Sequence, residues 1–141
     1  IITPVIVSIF AIQNVVNKVK IPVIANGDVL DRQSMQRCFN ESGASAIMIA
    51  RGSIGKPWLF KKLLEGLDEP LIMERLQVFQ AHIEKLAVLE DSDYIALLQA
   101  RRLLKWYFSE YNSSQLAQFY QAEDISDLFK SLEGCLTAAY S

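Results

Sequence analysis

The chain has 141 residues, of which 51% are hydrophobic, 21% charged and 10% aromatic, a globular composition that suits one domain or two small ones. The formal net charge of −2 provides no global positive field, so binding to nucleic acid would need a local basic patch. The apolar stretch at residues 1–12 is shorter than the roughly 20 residues that span a bilayer, and it lacks the basic flank of a signal peptide. No membrane association is therefore expected.

The two cysteines, Cys38 and Cys135, lie far apart in the sequence with no CxxC spacing. We expect both to be reduced thiols that pack inside the protein, which favours a cytoplasmic location. The single histidine, His82, has no cysteine or second histidine near it, so no metal site is expected. Because the sequence begins at Ile1 rather than at methionine, we expect the chain to be a piece of a longer protein.

The first part of the chain alternates helical and extended patterns. Apolar side chains at a helical period predict a helix over residues 8–20. The apolar run IPVIA at 21–25 follows it, and SAIMIA at 45–50 has the same character. Their length and β-branching predict two strands that are buried on both faces, as in a parallel sheet.

Local signals define the helices between and after these strands. Asp31 is the expected N-cap of a helix that Gly43 ends. Ser53 opens a short helical stretch that contains Lys56-Pro57-Trp58, where proline is tolerated near a helix start. This rhythm of strands and helices is typical of an α/β fold.

No strand pattern follows the turn at residues 66–70. Apolar residues instead recur at steps of three and four, which predicts three amphipathic helices in a small bundle. The three stripes are Ile72, Leu76, Phe79, Ile83 and Leu86; Leu97, Ala100, Leu104, Tyr107 and Tyr111; and Ile125, Leu128, Leu132, Leu136 and Ala139. The segment Asn112-Ser113-Ser114 separates the last two helices.

Both predicted strands end in residues suited to binding an anion. Asn26-Gly27-Asp28 follows the first strand and Ala50-Arg51-Gly52-Ser53 the second. Ligands of α/β proteins collect at the carboxyl ends of parallel strands. Glycine permits close backbone approach and a positive φ, while arginine grips phosphate bidentately beside the free N–H groups of a helix start. Each motif alone is as typical of a plain turn or a surface salt bridge, but together they favour a phosphate site.

A third candidate is basic. Arg101 and Arg102 lie four and three residues before Lys105, so the three side chains share a helix face, beside Trp106 and Tyr107. Such a face can meet a nucleic-acid backbone. A solvated helix face explains these residues equally well.

Three segments together, IPVIANGDV, GASAIMIARGSIGKPWLF and ARRLLKWYFSEY, resemble a tRNA-dihydrouridine synthase of the bacterial type. In that family, strands 7 and 8 of a flavin-binding (β/α)₈ barrel end in an Asn-Gly-Asp segment and a Gly-Arg pair, followed by a GxPWLF-like segment. A helical C-terminal domain with an A-R-K/R…W-Y stretch then helps to hold tRNA. The likeness begins near Ile12 and continues to the end of the chain, which corresponds to the C-terminal part of the family's length.

The resemblance implies a role for each residue at the two strand ends. Asn26, Gly27 and Asp28 would line the phosphate and ribityl side of FMN. Ala50 and Arg51 would complete the grip on the phosphate. Ala50 departs from the glycine that the family more often has; a backbone N–H contact survives this change, although the methyl group takes up room beside the ligand.

The resemblance also implies that Arg101, Arg102 and Lys105 lie toward tRNA. The parent enzyme would reduce a uridine in tRNA to dihydrouridine, using FMN that NADPH recharges. The family's catalytic cysteine and its flavin-contacting lysine and glutamine belong to earlier barrel segments, and neither Cys38 nor Cys135 occupies a matching motif. A complete barrel takes about 250 residues, so this chain would supply only its end and would be inactive alone.

The predicted organisation is therefore α/β followed by all-α. Residues 1–66 form the C-terminal fragment, strands 7 and 8, of an FMN-binding TIM barrel, and residues 67–141 form a helical tRNA-binding domain. Two alternatives stay open. The first is another FMN-binding barrel oxidoreductase, which would share the strand-end phosphate site, although such enzymes usually end soon after the eighth helix. The second is a non-enzymatic helical RNA-binding fragment. Exposed edges of the two strands also predict that the chain self-associates.

Overall fold

The computed structural model describes residues 8–138. The chain divides into two compact units, Ile1–Asp68 and Glu69–Ser141, which we call unit 1 and unit 2. Unit 1 contains a small parallel sheet and unit 2 is helical among its described residues. The fold is thus mostly helical with one short two-stranded sheet, and the roles assigned to the two predicted domains stay predictions.

Among its described residues, unit 1 packs three helices against one face of two short parallel strands. The helices are α1 (Ile9–Val16), α2 (Arg32–Ser42) and α3 (Leu59–Glu65), and the strands are β1 (Ile24–Asn26) and β2 (Ala46–Met48). In register, Ile24 faces Ala46 and Asn26 faces Met48. Both strands are shorter than the apolar runs predicted, because a strand extends only as far as a neighbouring strand pairs with it.

The prediction that both strands are buried on both faces is wrong for this chain. Ala25 is 1% exposed, whereas Ile24 on the other face is 64% exposed and Met48 is 51% exposed. One face packs with Val29, Leu59 and residues of the helices in a core cluster. The cluster holds Ala25, Val29, Cys38, Ala44, Leu59 and Leu63, with Ile12, Val16, Met35, Ile47 and Ile49 against it. We call the uncovered side, carrying Ile24, Asn26 and Met48, the open face.

Local chemistry defines α2 as the sequence predicts. Asp31 Oδ1 accepts a hydrogen bond from Ser34 N at 2.7 Å, and Ser34 Oγ accepts one from Asp31 N at 3.1 Å, so each residue caps the other's free N–H. The pKa of Asp31 is lowered, chiefly by the hydrogen bonds from Ser34. Gly43 ends the helix with φ of 67°, a left-handed conformation that glycine adopts without a steric penalty.

The helical stretch predicted to open at Ser53 is divided in two. Residues Arg51–Ser53 form a single 3₁₀ turn, and α3 begins only at Leu59. Pro57 lies just before α3, where its missing N–H costs no helical hydrogen bond. The physical reason for the break is Gly55, whose φ of 68° interrupts the helical backbone between the two pieces.

Within residues 69–138, unit 2 contains three longer helices and one short one. These are α4 (Ile72–Glu90), α5 (Asp93–Tyr107), α6 (Ser113–Leu116) and α7 (Ile125–Ala138), with a 3₁₀ segment at Ala117–Gln121. The predicted break at 112–114 is an N-cap, because Asn112 Oδ1 accepts from Gln115 N at 2.9 Å. Tyr111, predicted to lie on the helix with Leu104, follows the end of α5, and Ala139 falls outside the described residues.

The predicted apolar stripes make the core of unit 2. Phe79 of α4 is 0% exposed and lies edge-on to Tyr107, Phe108 and Phe129, with ring centroids 5.1, 5.6 and 6.3 Å away. Such aromatic pairs add roughly 0.5–1.5 kcal/mol each beyond their buried area. Leu104, Leu128 and others complete the core: Ile72, Leu76, Ile83, Leu97, Ala100, Leu132 and Leu136 are also buried.

His82 flanks this core, as predicted. Its Nδ1 lies 2.9 Å from the hydroxyl oxygen of Tyr107, which joins α4 to α5. Burial lowers the pKa of His82, with a smaller contribution from the charge of Lys85. Burial also raises the pKa of Tyr107, so the pair is neutral at neutral pH. Within residues 8–138, no helix is both long and apolar enough to cross a bilayer.

Candidate functional sites

The two predicted strand ends meet through an ion pair. Asp28 follows β1 and Arg51 follows β2, and Arg51 Nη2 lies 2.5 Å from Asp28 Oδ1. Both side chains are about half exposed, at 53% for Arg51 and 47% for Asp28, so the pair contributes only about 0–1 kcal/mol to stability. The contact mainly orients the guanidinium, and its other N–H donors stay available to an anion.

A close backbone approach holds the two strand-end loops together. A Cβ atom added to Gly52 would come within 2.3 Å of the Val29 carbonyl oxygen, which no side chain tolerates without a shift. Glycine at position 52 therefore lets the loop after β2 lie directly against the loop after β1. This proximity places Arg51 within reach of Asp28.

Ala50 does not have a backbone conformation that requires glycine. Its φ is −112°, so this position does not need the left-handed conformation that favours glycine. The Ala50 carbonyl accepts hydrogen bonds from both Ser53 N at 3.1 Å and Ser53 Oγ at 2.9 Å. Alanine at position 50 is therefore compatible with the 3₁₀ turn at Arg51–Ser53.

Asn26 and Gly27 precede Asp28 in the chain and differ in their surroundings. Asn26 is exposed on the open face at the end of β1. The Gly27 carbonyl accepts from Val29 N at 2.6 Å, which makes a tight three-residue turn. Gly27 does not use the positive φ that glycine permits: among the described glycines, Gly43, Gly55 and Gly66 have one.

A cavity of about 450 Å³ adjoins the strand ends on the side of α1 and α2. Gly27 and Asp28 line it, together with Ser34 and Cys38, whereas Ala50 and Arg51 do not. Burial raises the pKa of the Cys38 thiol, with help from the charge of Glu41. Cys38 is therefore a protonated packing residue, as predicted. Asp28 thus contacts Arg51 and also lines this cavity with Gly27, whereas Ala50 and Arg51 lie outside the cavity.

The three predicted basic residues of unit 2 line one cleft. This cleft has a volume of about 670 Å³ and is lined by Leu98, Arg101, Arg102, Lys105, Trp106 and Tyr120. We call it the basic cleft. Tyr107, named beside these residues in the sequence, points instead into the core, where it is 2% exposed.

Sequence reasoning missed two residues of this cleft. Leu98 lies one turn before Arg101 on α5, so helical spacing could have found it. Tyr120 belongs to the 3₁₀ segment that follows α6. No local pattern signals its position, because the fold brings Ala117–Gln121 against α5. Across the described part of the chain, no group of three His, Cys, Asp or Glu side chains is placed to hold a metal ion.

Known proteins match nearly the whole chain. The family model described as Dihydrouridine synthase (Dus) matches residues 6–140. A probable tRNA-dihydrouridine synthase of Rickettsia conorii is 37% identical over 105 residues, which cover 70% of this chain and 31% of the relative. The tRNA-dihydrouridine synthase B of Escherichia coli K12 is 33% identical over 132 residues, which cover 87% of this chain and 40% of the relative.

The protein of the same name from Proteus vulgaris is also 33% identical, over 131 residues that cover 87% of this chain and 40% of the relative. The chain thus spans well under half the length of these relatives. The motifs that carry the resemblance, from the strand ends to the basic helix, all fall inside the matched region. On this evidence the chain belongs to the dihydrouridine synthase family.

Proposed function

We propose that this chain is the C-terminal part of a flavin-dependent enzyme that reduces uridine to dihydrouridine in tRNA. Unit 1 would provide strands 7 and 8 of a (β/α)₈ barrel, and unit 2 would be a helical tRNA-binding domain. The family membership and the 31–40% of the relatives' length that the chain spans support this assignment. The catalytic acid would come from another part of the parent enzyme.

The open face of unit 1 supports the barrel assignment. Ile24 and Met48 are large apolar side chains on one side of the sheet, and they are 64% and 51% exposed. In a (β/α)₈ barrel one face of every strand is covered by helices, and the other is packed by side chains from neighbouring strands. The described helices of unit 1 all lie on one face of the sheet, so the open face has the character of a barrel interior.

The observation that carries the proposal is the pairing of Asp28 with Arg51 across two neighbouring strand ends. It places a directed cation at the carboxyl rim of parallel strands, where phosphate groups bind in barrels of this type. With Asn26, Gly27 and the backbone of Ala50, Arg51 would hold the phosphate and ribityl side of FMN. When bound, FMN would supply the hydride for uridine reduction and would be recharged by NADPH.

The test is a chimera in which this chain replaces the matching 132 residues of the Escherichia coli synthase. We expect FMN to copurify, and dihydrouridine to return to tRNA in a strain that lacks the native enzyme. Arg51→Gln should weaken FMN binding about 10- to 100-fold, because hydrogen bonds to charged groups contribute about 1.5–3 kcal/mol each.

Arg37→Gln is the matched control for Arg51→Gln. Arg37 also forms an exposed ion pair, with Glu41 at 2.9 Å, but on the outer surface of α2. The substitution Arg37→Gln should therefore leave FMN binding unchanged. Equal FMN binding by the parent chimera and its Arg51→Gln variant would remove the phosphate role, and a chimera with FMN but no dihydrouridine would favour a different oxidoreductase.

A further inference from the structure

The basic cleft of unit 2 has an unusual charge for this chain. Three of its six lining residues are cationic and none is a carboxylate, although the chain as a whole carries a formal net charge of −2. Its other lining residues are apolar or aromatic. A site with cations around exposed aromatic rings is suited to a ligand that combines phosphate with a planar base.

The three cations of the cleft do different things. Arg101 Nη2 donates to the Ala122 carbonyl oxygen at 2.7 Å, which ties α5 to the residue that follows the 3₁₀ segment carrying Tyr120. Arg101 is therefore a positioning residue for the cleft wall. Arg102 is exposed and has no ion pair or hydrogen bond to another side chain within residues 8–138. Arg102 and Lys105 are the cations available to phosphate groups.

Trp106 gives the cleft an open aromatic surface. Its side chain is 43% exposed, whereas the aromatic rings of Tyr107 and Phe108 are buried in the core. Lys105 Nζ lies over the Trp106 ring, 5.3 Å from its centroid, so one face of the ring carries a cation and a base would stack on the other face. Tyr120, from the 3₁₀ segment Ala117–Gln121, lines the same cleft.

These features discriminate between paired and unpaired nucleotides. Bases within a duplex are already stacked on one another, so their faces cannot reach a side chain on a protein surface. An unpaired base can leave its stack and lie on an aromatic ring, and every base has such a face. A duplex would contact the cations through its phosphates, but its bases would not stack on Trp106.

We propose that the basic cleft binds one unpaired nucleotide of the RNA, with its base stacked on Trp106 and its flanking phosphates on Arg102 and Lys105. Tyr120 forms the second wall, which Arg101 holds in place. This inference rests on the proposed function in one respect only, that unit 2 is the part of the chain that meets tRNA. It adds the chemical form of what unit 2 recognises there.

The test uses the full chain with Trp58→Phe, so that Trp106 is the single tryptophan. The probes are a labelled oligouridylate of eight nucleotides, a duplex RNA of the same length and a tRNA transcript. Binding of oligouridylate should quench Trp106 fluorescence, and the duplex should not. By fluorescence anisotropy, Trp106→Leu should weaken oligouridylate binding about 5- to 100-fold, and Trp106→Phe should restore most of it because the ring is kept.

A separate pair of variants isolates the phosphate contacts. Arg102→Gln and Lys105→Gln should each reduce the slope of log affinity against log salt by about one, while leaving the Trp106 preference for unpaired RNA in place. Val88→Leu, at an exposed site on α4, is the control for an apolar change that should alter neither quantity.

The outcomes separate the inference from the proposed function. Binding of tRNA with no change on Trp106→Leu would overturn the stacking proposal and leave the tRNA role of unit 2 standing. Equal affinity for duplex and oligouridylate would also overturn it. Stacking of oligouridylate without affinity for tRNA would support the cleft and contradict the tRNA role, and failure to bind any of the three RNAs would contradict both.

Discussion

The two units of this chain bury very different cores. Unit 2 fully buries large side chains, among them Phe79, Tyr107 and Phe108, within helices that cover them on several sides. Among its described residues unit 1 buries no aromatic ring, its largest buried side chains are Leu59 and Leu63, and it leaves Ile24 64% exposed on the open face. Since stability follows the apolar area removed from water, unit 2 should be much the more stable of the two.

This difference can be measured because each unit carries one tryptophan. Trp58 lies in unit 1 and Trp106 in unit 2. Denaturant unfolding followed in Trp58→Phe and Trp106→Phe backgrounds should therefore give two separate transitions, with the unit 1 signal lost at the lower denaturant concentration. Coincident transitions would show that the two units unfold as one and that the contrast in their cores has no consequence for stability.

The largest effect is expected in the core of unit 2. Phe79→Ala removes a ring that is 0% exposed and contacts three other aromatic rings, so it should cost about 3–5 kcal/mol of the free energy of unfolding. The unfolding transition of unit 2, followed by the fluorescence of Trp106 (the Trp106 transition), reports this loss. Phe10→Ala makes the same chemical change at a side chain of unit 1 that is 69% exposed, and it should shift the Trp58 transition of that unit by no more than about 0.5 kcal/mol. Equal losses for both variants would contradict the assignment of Phe79 to the core.

The next largest loss of stability is expected at the contact between the loops that follow β1 and β2 in unit 1. Gly52→Ala drives a methyl group toward the Val29 carbonyl oxygen, so the Trp58 transition should lose about 1–3 kcal/mol. Gly27→Ala is the control in the neighbouring loop, because its added Cβ would meet only Cys38 Sγ, at an ordinary 3.9 Å. An unchanged Trp58 transition in Gly52→Ala would show that the two loops do not pack as closely as described.

A pH effect is expected in unit 2 from His82. The folded state lowers the pKa of His82 below its unfolded value of about 6.5, so the unfolded chain takes up the proton first as the pH falls. Unit 2 should therefore be most stable above about pH 6.5 and lose stability as the pH drops toward the folded pKa. Comparing the Trp106 transition at several pH values in the parent chain and in His82→Gln isolates this effect, since the chain has one histidine. A slope that survives the substitution would assign it to other groups.

Local chemistry explains what could be predicted from the sequence. The cap at Asp31 and the stop at Gly43 depend on neighbouring backbone groups alone, and both are found where the sequence predicts them. The apolar stripe of α5 correctly separates Leu104, in the core, from Arg102, on the surface. Helical periodicity records which face is buried, so these predictions need no tertiary information.

Tertiary contacts explain what could not be predicted. The hydrogen bond from Arg101 to the Ala122 carbonyl gives that cation a structural role, and its partner lies 21 residues further along the chain. Tertiary contacts also determine that Tyr120 lines the basic cleft. The length and burial of β1 depend on which strands neighbour it, so an apolar run alone overestimated both. The ion pair between Asp28 and Arg51 could be anticipated only as proximity, from the rule that parallel strands end on the same side.

The substitution Ile24→Lys on the open face tests most directly whether unit 1 is one part of a larger barrel. Its effect is measured in the chain alone and in the chimera with the Escherichia coli synthase. Gln36→Lys, which adds the same charge on an exposed position of α2, is the control. If unit 1 is one part of a larger barrel, Ile24→Lys should change the Trp58 transition of the chain alone by no more than about 0.5 kcal/mol. It should nevertheless remove FMN from the chimera, because there the open face is buried among other strands. A chimera that retains its FMN with Lys at position 24, or a chain alone that unfolds on this substitution, would contradict the claim that unit 1 is one part of a larger barrel.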